Sequence, residues 1–229
     1  GISHGYGCVL FPEGTSHNNA YMLRFRTGPM RTVLAASALA KASDRELPVI
    51  IPMGLHFRTR EYFRTDVWVE YGEPIQVESN EVPQNLVDAV SSGTWSEPPA
   101  ESVFRLRDKL REELVPLSPN AHTWEEYRAL LLLGHINGRA NKNQPKTWRE
   151  EVKQARYFRD KYSTKPTTVD VDNLQPEKIS HPLIAKSEKA AEILHRNGLD
   201  GRDLNATSTR LSPPKMSKLP FATARLGIF

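Results

Sequence analysis

The string Phe11-Pro12-Glu13-Gly14-Thr15-Ser16 sets a carboxylate between a proline and a glycine and follows it with two hydroxyls. Pro12 restricts the backbone on one side of Glu13. On the other side, Gly14 lets a ligand come close to the main chain. The amides beyond Gly14 can face an anion, and Thr15 and Ser16 supply hydroxyl donors. Such a group suits a polyol phosphate, with an acceptor for its hydroxyl and donors for its phosphate. The same residues also spell a tight turn with a capping glutamate, and their types alone leave both readings open. The apolar run Cys8-Val9-Leu10 precedes the string. A strand ending there would deliver it to the place where open α/β sheets bind ligands, outside the carboxyl ends of the strands.

Other arrangements carry less chemistry. His4, His17, His122, His135 and His181 show no metal-ligand spacing. Cys8 is the only cysteine, so the chain can form neither an internal disulfide nor a cysteine-rich metal centre. The sequence therefore points to no metal and no bound cofactor. His195 and Asp200 fit a His-x4-Asp spelling, but they lie far downstream of Glu13 at the end of a polar helix, and the spacing reads as chance. No second carboxylate or nucleophile stands at useful spacing from Glu13, which sets a hydrolase aside. The net charge of +4 is small and scattered, against a nucleic-acid partner.

The elements that must hold the string read as an α/β layer. Residues 7–11 suggest a short buried strand. Residues 28–42 suggest an alanine-rich helix opened by Gly28 and Pro29. The β-branched run at 48–56 suggests a strand covered on both faces. Residues 66–71 alternate as a third strand, turned by Gly72-Glu73-Pro74 into Ile75-Gln76-Val77. Past residue 78 the texture becomes helical, with helices expected over 101–115, 123–138, 147–162 and 183–197. Thr123 with Glu126 spells a capping box, and Asn197-Gly198 a helix end. The Leu130–Leu133 run reads as core, and no apolar run approaches the ~18 residues of a spanning helix. The expected division is 1–78, then a helical extension over 79–164, then 165–229 with a proline-containing linker, one helix and a basic tail. That tail carries Arg210, Lys215, Lys218 and Arg225 without an acidic residue, and reads either as a solvated end or as a juxtamembrane segment. Residue 1 is glycine and no basic-apolar leader follows, so the chain is expected to be a fragment that starts inside a domain.

Four features in order now carry a resemblance. Val9-Leu10-Phe11-Pro12-Glu13-Gly14-Thr15-Ser16 resembles the third sequence block of the phospholipid/glycerol acyltransferase family, usually written apolar-Phe-Pro-Glu-Gly-Thr-Arg. Arg26-Thr27-Gly28 matches the polar residues and glycine that open the family's alanine-rich helix. Val49-Ile50-Ile51-Pro52 matches its fourth block, a β-branched run ending in proline. Val67 to Tyr71 with Gly72-Glu73-Pro74-Ile75 matches the strand and turn that follow. The resemblance covers about residues 5–78, and Thr123 to Gly138 looks like the segment after this domain in glycerol-3-phosphate and dihydroxyacetone-phosphate acyltransferase-like members.

The resemblance implies the C-terminal part of a mixed-sheet acyltransferase domain followed by a helical extension. It implies acyl transfer from acyl-CoA or acyl carrier protein to a hydroxyl of a glycerol phosphate, in phospholipid synthesis. The enzyme would sit at a membrane surface, with spanning helices outside this stretch and its active site facing the cytoplasm (at the endoplasmic reticulum in a eukaryote). Phe11, Pro12, Glu13, Gly14, Thr15, Ser16 and Pro52 would be the substrate-binding residues: Glu13 would bind the glycerol hydroxyls, Gly14, Thr15 and Ser16 would line the phosphate pocket, and Pro52 would shape the acyl or base side. The family's general base, a His in a His-x4-Asp block, would fall upstream of Gly1, leaving no catalytic base in this chain. Ser16 departs from the family's Arg, so the phosphate lacks one positive charge. Arg26 and Arg58 are the leading replacements among Arg24, Arg26, Arg31, Arg58, Arg60 and Arg64, since phosphate favours forked guanidinium partners. The competing expectation is a non-catalytic lipid- or partner-binding module on the same fold.

Overall fold

The computed structural model describes residues 1–59, 63–163 and 175–205. The chain is a mixed α/β protein with a helical extension, and its residues divide into two compact units. One unit takes Gly1–Gly54 and Val69–Thr123 with a short later segment ending at Glu177; the other takes Leu55–Trp68, Trp124–Thr164 and the residues from Lys178.

In the first unit, α1 (Gly28–Ala42) starts as expected. Pro29 occupies its first turn, where a missing N–H costs no helical hydrogen bond. Met30, Leu34 and Ala38 recur every four residues and are buried, and Ala36, Ser37 and Ala40 keep that face slim. No sequence signal marks α2 (Gln84–Ser91), a short helix that buries only Leu86. Helix α3 (Ala100–Leu114) buries Val103, Leu106, Leu110 and Leu114 along one face. Both α2 and α3, although past residue 78, pack on α1. Together with Phe25, Ile75, Val77 and Leu117 these side chains form one apolar cluster. Each large side chain buried there contributes roughly 1.5–3 kcal/mol.

Four short strands follow α1 in the chain: β1 (Val49–Ile50), β2 (Met53–Phe57), β3 (Val67–Tyr71) and β4 (Ile75–Gln76). β1 and β4 pair antiparallel, with Val49 opposite Gln76 and Ile50 opposite Ile75. β2 pairs with β3. The single strand expected at 48–56 is thus two strands. Pro52 lacks the N–H a continuous ladder would use, and its carbonyl instead accepts the Gly72 N–H at 2.9 Å. Nor is the run covered on both faces, since Gly54 and His56 are buried while Leu55 and Phe57 are exposed.

Residues 7–11 do not form the expected buried strand. Val9, Leu10 and Phe11 are 67%, 41% and 71% exposed and carry no strand assignment. A strand needs a neighbour to take its backbone N–H and C=O groups, and none of the described strands pairs with this run. Phe11 to Ser16 is therefore held by loop contacts rather than at the end of a sheet strand.

In the second unit, α4 (Trp124–Ala140) packs on both α5 (Trp148–Tyr162) and α6 (Pro182–Arg196). Leu130, Val152 and Ile184 are almost wholly buried, as the core reading of the leucine run requires. A Cβ on Gly134 would lie 2.8 Å from Cβ of Gln154, so glycine permits the close approach of α4 and α5. Glu126, 1% exposed, accepts the Ile179 N–H at 2.9 Å. The α5 start carries a full capping box between Thr147 and Glu150. Helix α6 ends at Asn197, followed by Gly198 at φ 70°, as the sequence suggested. A 3₁₀ turn, Gly201–Asn205, closes the described chain. Arg60, Pro166 and the basic tail fall outside the described residues, and with them the linker and juxtamembrane expectations. Among the described residues no helix is long and apolar enough to cross a membrane.

Candidate functional site

Pro12 and Gly14 make the string a β-turn. The Gly14 N–H donates to the Phe11 carbonyl at 3.1 Å, which sets Pro12 second and Gly14 fourth, the positions where each is favoured. Gly14 takes a φ of 66°, a conformation L side chains rarely adopt. The Arg26 N–H donates to the Pro12 carbonyl at 2.7 Å, fixing the turn to the approach to α1. A Cβ on Gly14 would stand 3.0 Å from Cγ of Arg26, so the Arg26 side chain runs directly beside this glycine. The structure thus brings an exposed guanidinium to the turn that Thr15 and Ser16 continue.

Glu13 is the fixed point of the loop. Its Oε2 accepts from Nε2 of His17 at 2.6 Å and from the Leu23 N–H at 2.6 Å. Nδ1 of His17 accepts the Asn19 N–H at 3.1 Å, which leaves Nε2 as the protonated nitrogen that donates to Glu13. The two side chains are half-buried, His17 at 18% and Glu13 at 19% exposed. All the hydrogen bonds described for the carboxylate fall on Oε2. Oε1 therefore keeps its acceptor capacity for a ligand hydroxyl. His17, whose residue type suggested an ordinary histidine, is the side chain that fixes Glu13 in this loop. Its signal was the spacing: Glu13 and His17 are four apart, across a glycine turn.

Pro52 is fully buried, and its ring packs on Gly72, where a Cβ would lie 3.3 Å from Pro52 Cβ. Two widely spaced motif elements, the proline of the β-branched run and the glycine of the Gly72-Glu73-Pro74 turn, are thereby in contact.

Arg58 lies in the second unit and its donors go to carboxylates. Nε reaches Asp66 at 2.8 Å, Nη1 reaches Glu151 at 2.8 Å, and Nη2 reaches the other Glu151 oxygen at 2.5 Å. The guanidinium also covers the Trp148 ring, 4.5 Å from its centroid. Nε2 of His135 donates to the same Glu151 at 3.0 Å. Burial works to raise the Glu151 carboxyl, but the hydrogen bonds from His135 and Arg58 outweigh it and hold it below its ordinary value. For Arg58 burial works downward, and the Glu151 hydrogen bond and charge carry the net shift upward. No group of three His, Cys, Asp or Glu residues among those described could hold a metal ion. His195 is exposed in the last turn of α6, and Asp200 pairs with Arg202.

Comparison with known proteins gives two relatives of this sequence. It is 34% identical over 125 residues to Glycerol-3-phosphate O-acyltransferase 2 of Saccharomyces cerevisiae, a match that takes 53% of this chain and 15% of that protein. It is 27% identical over 107 residues to Glycerol-3-phosphate O-acyltransferase 1 of the same yeast, over 42% of this chain and 14% of that protein. The chain therefore spans about 15% of the length of these relatives. No family model matches it. No solved structure matches it either.

Proposed function

The chain is related to the glycerol-phosphate acyltransferases, and from that relationship we propose that it is part of an enzyme acylating a glycerol phosphate. The acceptor is glycerol-3-phosphate or a related glycerol phosphate, and the donor is acyl-CoA or acyl carrier protein. In this reaction the acceptor oxygen attacks the thioester carbonyl, a general base takes its proton, and the C–S bond breaks to release the thiol. The product feeds phospholipid synthesis, so the enzyme works at a membrane surface with its active site on the cytoplasmic side.

The observation that carries this reading is the half-buried Glu13 carboxylate, held through Oε2 by His17 and the Leu23 amide with Oε1 left open. A carboxylate anchored in this way can accept a substrate hydroxyl without reorienting, and reorientation is a large part of what substrate positioning costs. Phe11 and Pro12 frame it, Gly14, Thr15 and Ser16 line the phosphate side, and Arg26 supplies the cation that Ser16 does not. Pro52, buried against Gly72, shapes the neighbouring wall. Arg58 belongs to the second unit and has its fork taken by Glu151 and Asp66, so Arg26 is the cation assigned to the phosphate.

The reading places no general base within these 229 residues, and the chain on its own is expected to lack transfer activity. The test is Glu13→Ala in the intact enzyme. A raised KM for the glycerol phosphate or a loss of turnover is expected, and unchanged KM and kcat would remove Glu13 from acceptor binding.

A further inference from the structure

The second unit holds an open cavity of about 530 Å³ that acyl transfer as described above does not use. Its lining includes Arg58, Lys146, Arg149 and Arg202, set against the carboxylates Asp66 and Glu151. Both carboxylates are committed to Arg58. Arg202 has a partner in Asp200, at 2.6 Å, but Arg202 is still 44% exposed. Lys146 and Arg149 form no ion pair with a carboxylate among the described residues, and both are exposed. Glu150 feels the Lys146 charge without reaching ion-pair contact. Arg202 stands near enough to Arg58 to oppose its charge. The cavity wall itself thus carries four cationic side chains against two carboxylates, both engaged by Arg58, an arrangement that attracts an anionic ligand.

A second feature narrows the ligand. His135 lines the same cavity, is 4% exposed, and spends Nε2 on Glu151. Its Nδ1 is buried and has no hydrogen-bond partner among the described residues. With Nε2 protonated, Nδ1 is an acceptor, and an unsatisfied buried acceptor of this kind calls for a donor, whether an ordered water or a ligand hydroxyl.

We propose that this cavity binds a phosphomonoester that also carries a free hydroxyl. Lys146, Arg149 and Arg202 take the phosphate at the exposed rim, and Nδ1 of His135 accepts from the hydroxyl at the buried wall. A soluble polyol phosphate, the phosphoribosyl end of coenzyme A and a phosphorylated lipid headgroup share this chemistry, to different extents. The inference stands on the cavity and is independent of the role given to Glu13.

The test is NMR titration of the 229-residue chain. Its reporters are the His135 ring and the Trp148 indole N–H, which donates to the His56 carbonyl at 2.9 Å. The probes are glycerol-3-phosphate and coenzyme A, with glycerol as the neutral control; binding to vesicles of lysophosphatidate, which keeps one free hydroxyl, in phosphatidylcholine is read by co-sedimentation. Saturable binding of any one probe, weakened about tenfold or more in the Arg149→Ser/Arg202→Ser double variant, is expected, because each substitution removes a charge-assisted hydrogen bond. Both side chains lie at the surface, so the variant keeps its fold. The probe that binds tightest identifies the source of the phosphate. No saturable change with any probe, an equal response to glycerol, or full binding by the double variant would overturn the proposal. Loss of the His135 and Trp148 shifts in Glu13→Gln would also overturn it, by assigning the phosphate to the other unit.

Discussion

Replacing Glu151 by leucine should cost the second unit more than replacing Arg58 and Glu151 together. Glu151 is 6% exposed and Arg58 13%, and the carboxylate takes bonds of 2.8 and 2.5 Å from Arg58 and 3.0 Å from His135. Glu151→Leu leaves the guanidinium of Arg58 poorly compensated, because its remaining partner, Asp66, is 59% exposed. Breaking a buried pair from one side costs about 3–5 kcal/mol, and the retained Asp66 contact puts this case near ~3 kcal/mol. In Arg58→Met/Glu151→Leu no buried charge is stranded: Asp66 also loses Arg58 but is 59% exposed and stays solvated, and the buried His135 N–H loses its partner, a cost of about 1–2 kcal/mol. With a urea m-value of ~2 kcal/mol per M, the midpoint should fall by about 1.5 M for the single variant and about half that for the pair. Tryptophan fluorescence reads this transition, since Trp68, Trp124 and Trp148 all belong to the second unit. A pair that costs as much as Glu151→Leu alone would refute the reasoning, because the ion pair would then carry no coupling.

The same cluster sets an acid limit: Glu151 has a folded pKa below its ordinary 4.5. Its contribution is therefore complete above that value and is lost as pH falls through the lowered one. Glu151→Gln should flatten the acid-side loss of stability in urea titrations at successive pH values, and an unaltered profile would assign that loss elsewhere. Gly14→Ala must place a Cβ at a φ of 66° and within 3.0 Å of Arg26 Cγ. The left-handed backbone alone costs about 1–2 kcal/mol, so steady-state kinetics of the intact enzyme should show a several-fold rise in acceptor KM; wild-type kinetics would show that the turn is not needed. His17→Ala should raise the acceptor KM, while His17→Gln, whose amide can still donate to Glu13, should recover most of the loss. Equal losses in both variants would mean that His17 acts only through packing.

The helices were legible because their signals are local. Pro29 and the four-residue recurrence of Met30, Leu34 and Ala38 declare α1, and Asn197-Gly198 declares the end of α6. Helix α2 escaped because it is eight residues long and buries one leucine, too little to raise a periodic pattern. The misread strands fail for a different reason. An apolar run such as Cys8-Val9-Leu10 records only that its side chains are apolar, whereas strand formation depends on a partner elsewhere in the chain. At 48–56 the proline was visible, but its effect depends on Gly72 taking up its carbonyl. In the candidate site, the turn through Glu13 and Gly14 could be read from residue types. The His17 contact was encoded in a four-residue spacing but hidden by how often histidine is structural. The fork between Arg58 and Glu151 joins residues 93 apart, which no local pattern reports.

The claim that Glu13 holds the acceptor through a hydroxyl is tested most directly by pairing a protein change with a substrate change. The measurement is kcat/KM of the intact enzyme and of Glu13→Gln, each with glycerol-3-phosphate and with an analogue in which the non-reacting hydroxyl is replaced by hydrogen. If Oε1 accepts from that hydroxyl, the wild-type enzyme should favour glycerol-3-phosphate by about tenfold or more, the worth of a hydrogen bond to a charged group. The Glu13→Gln enzyme should lose most of that preference while its KM for the acyl thioester stays the same. An undiminished preference in Glu13→Gln would contradict the account.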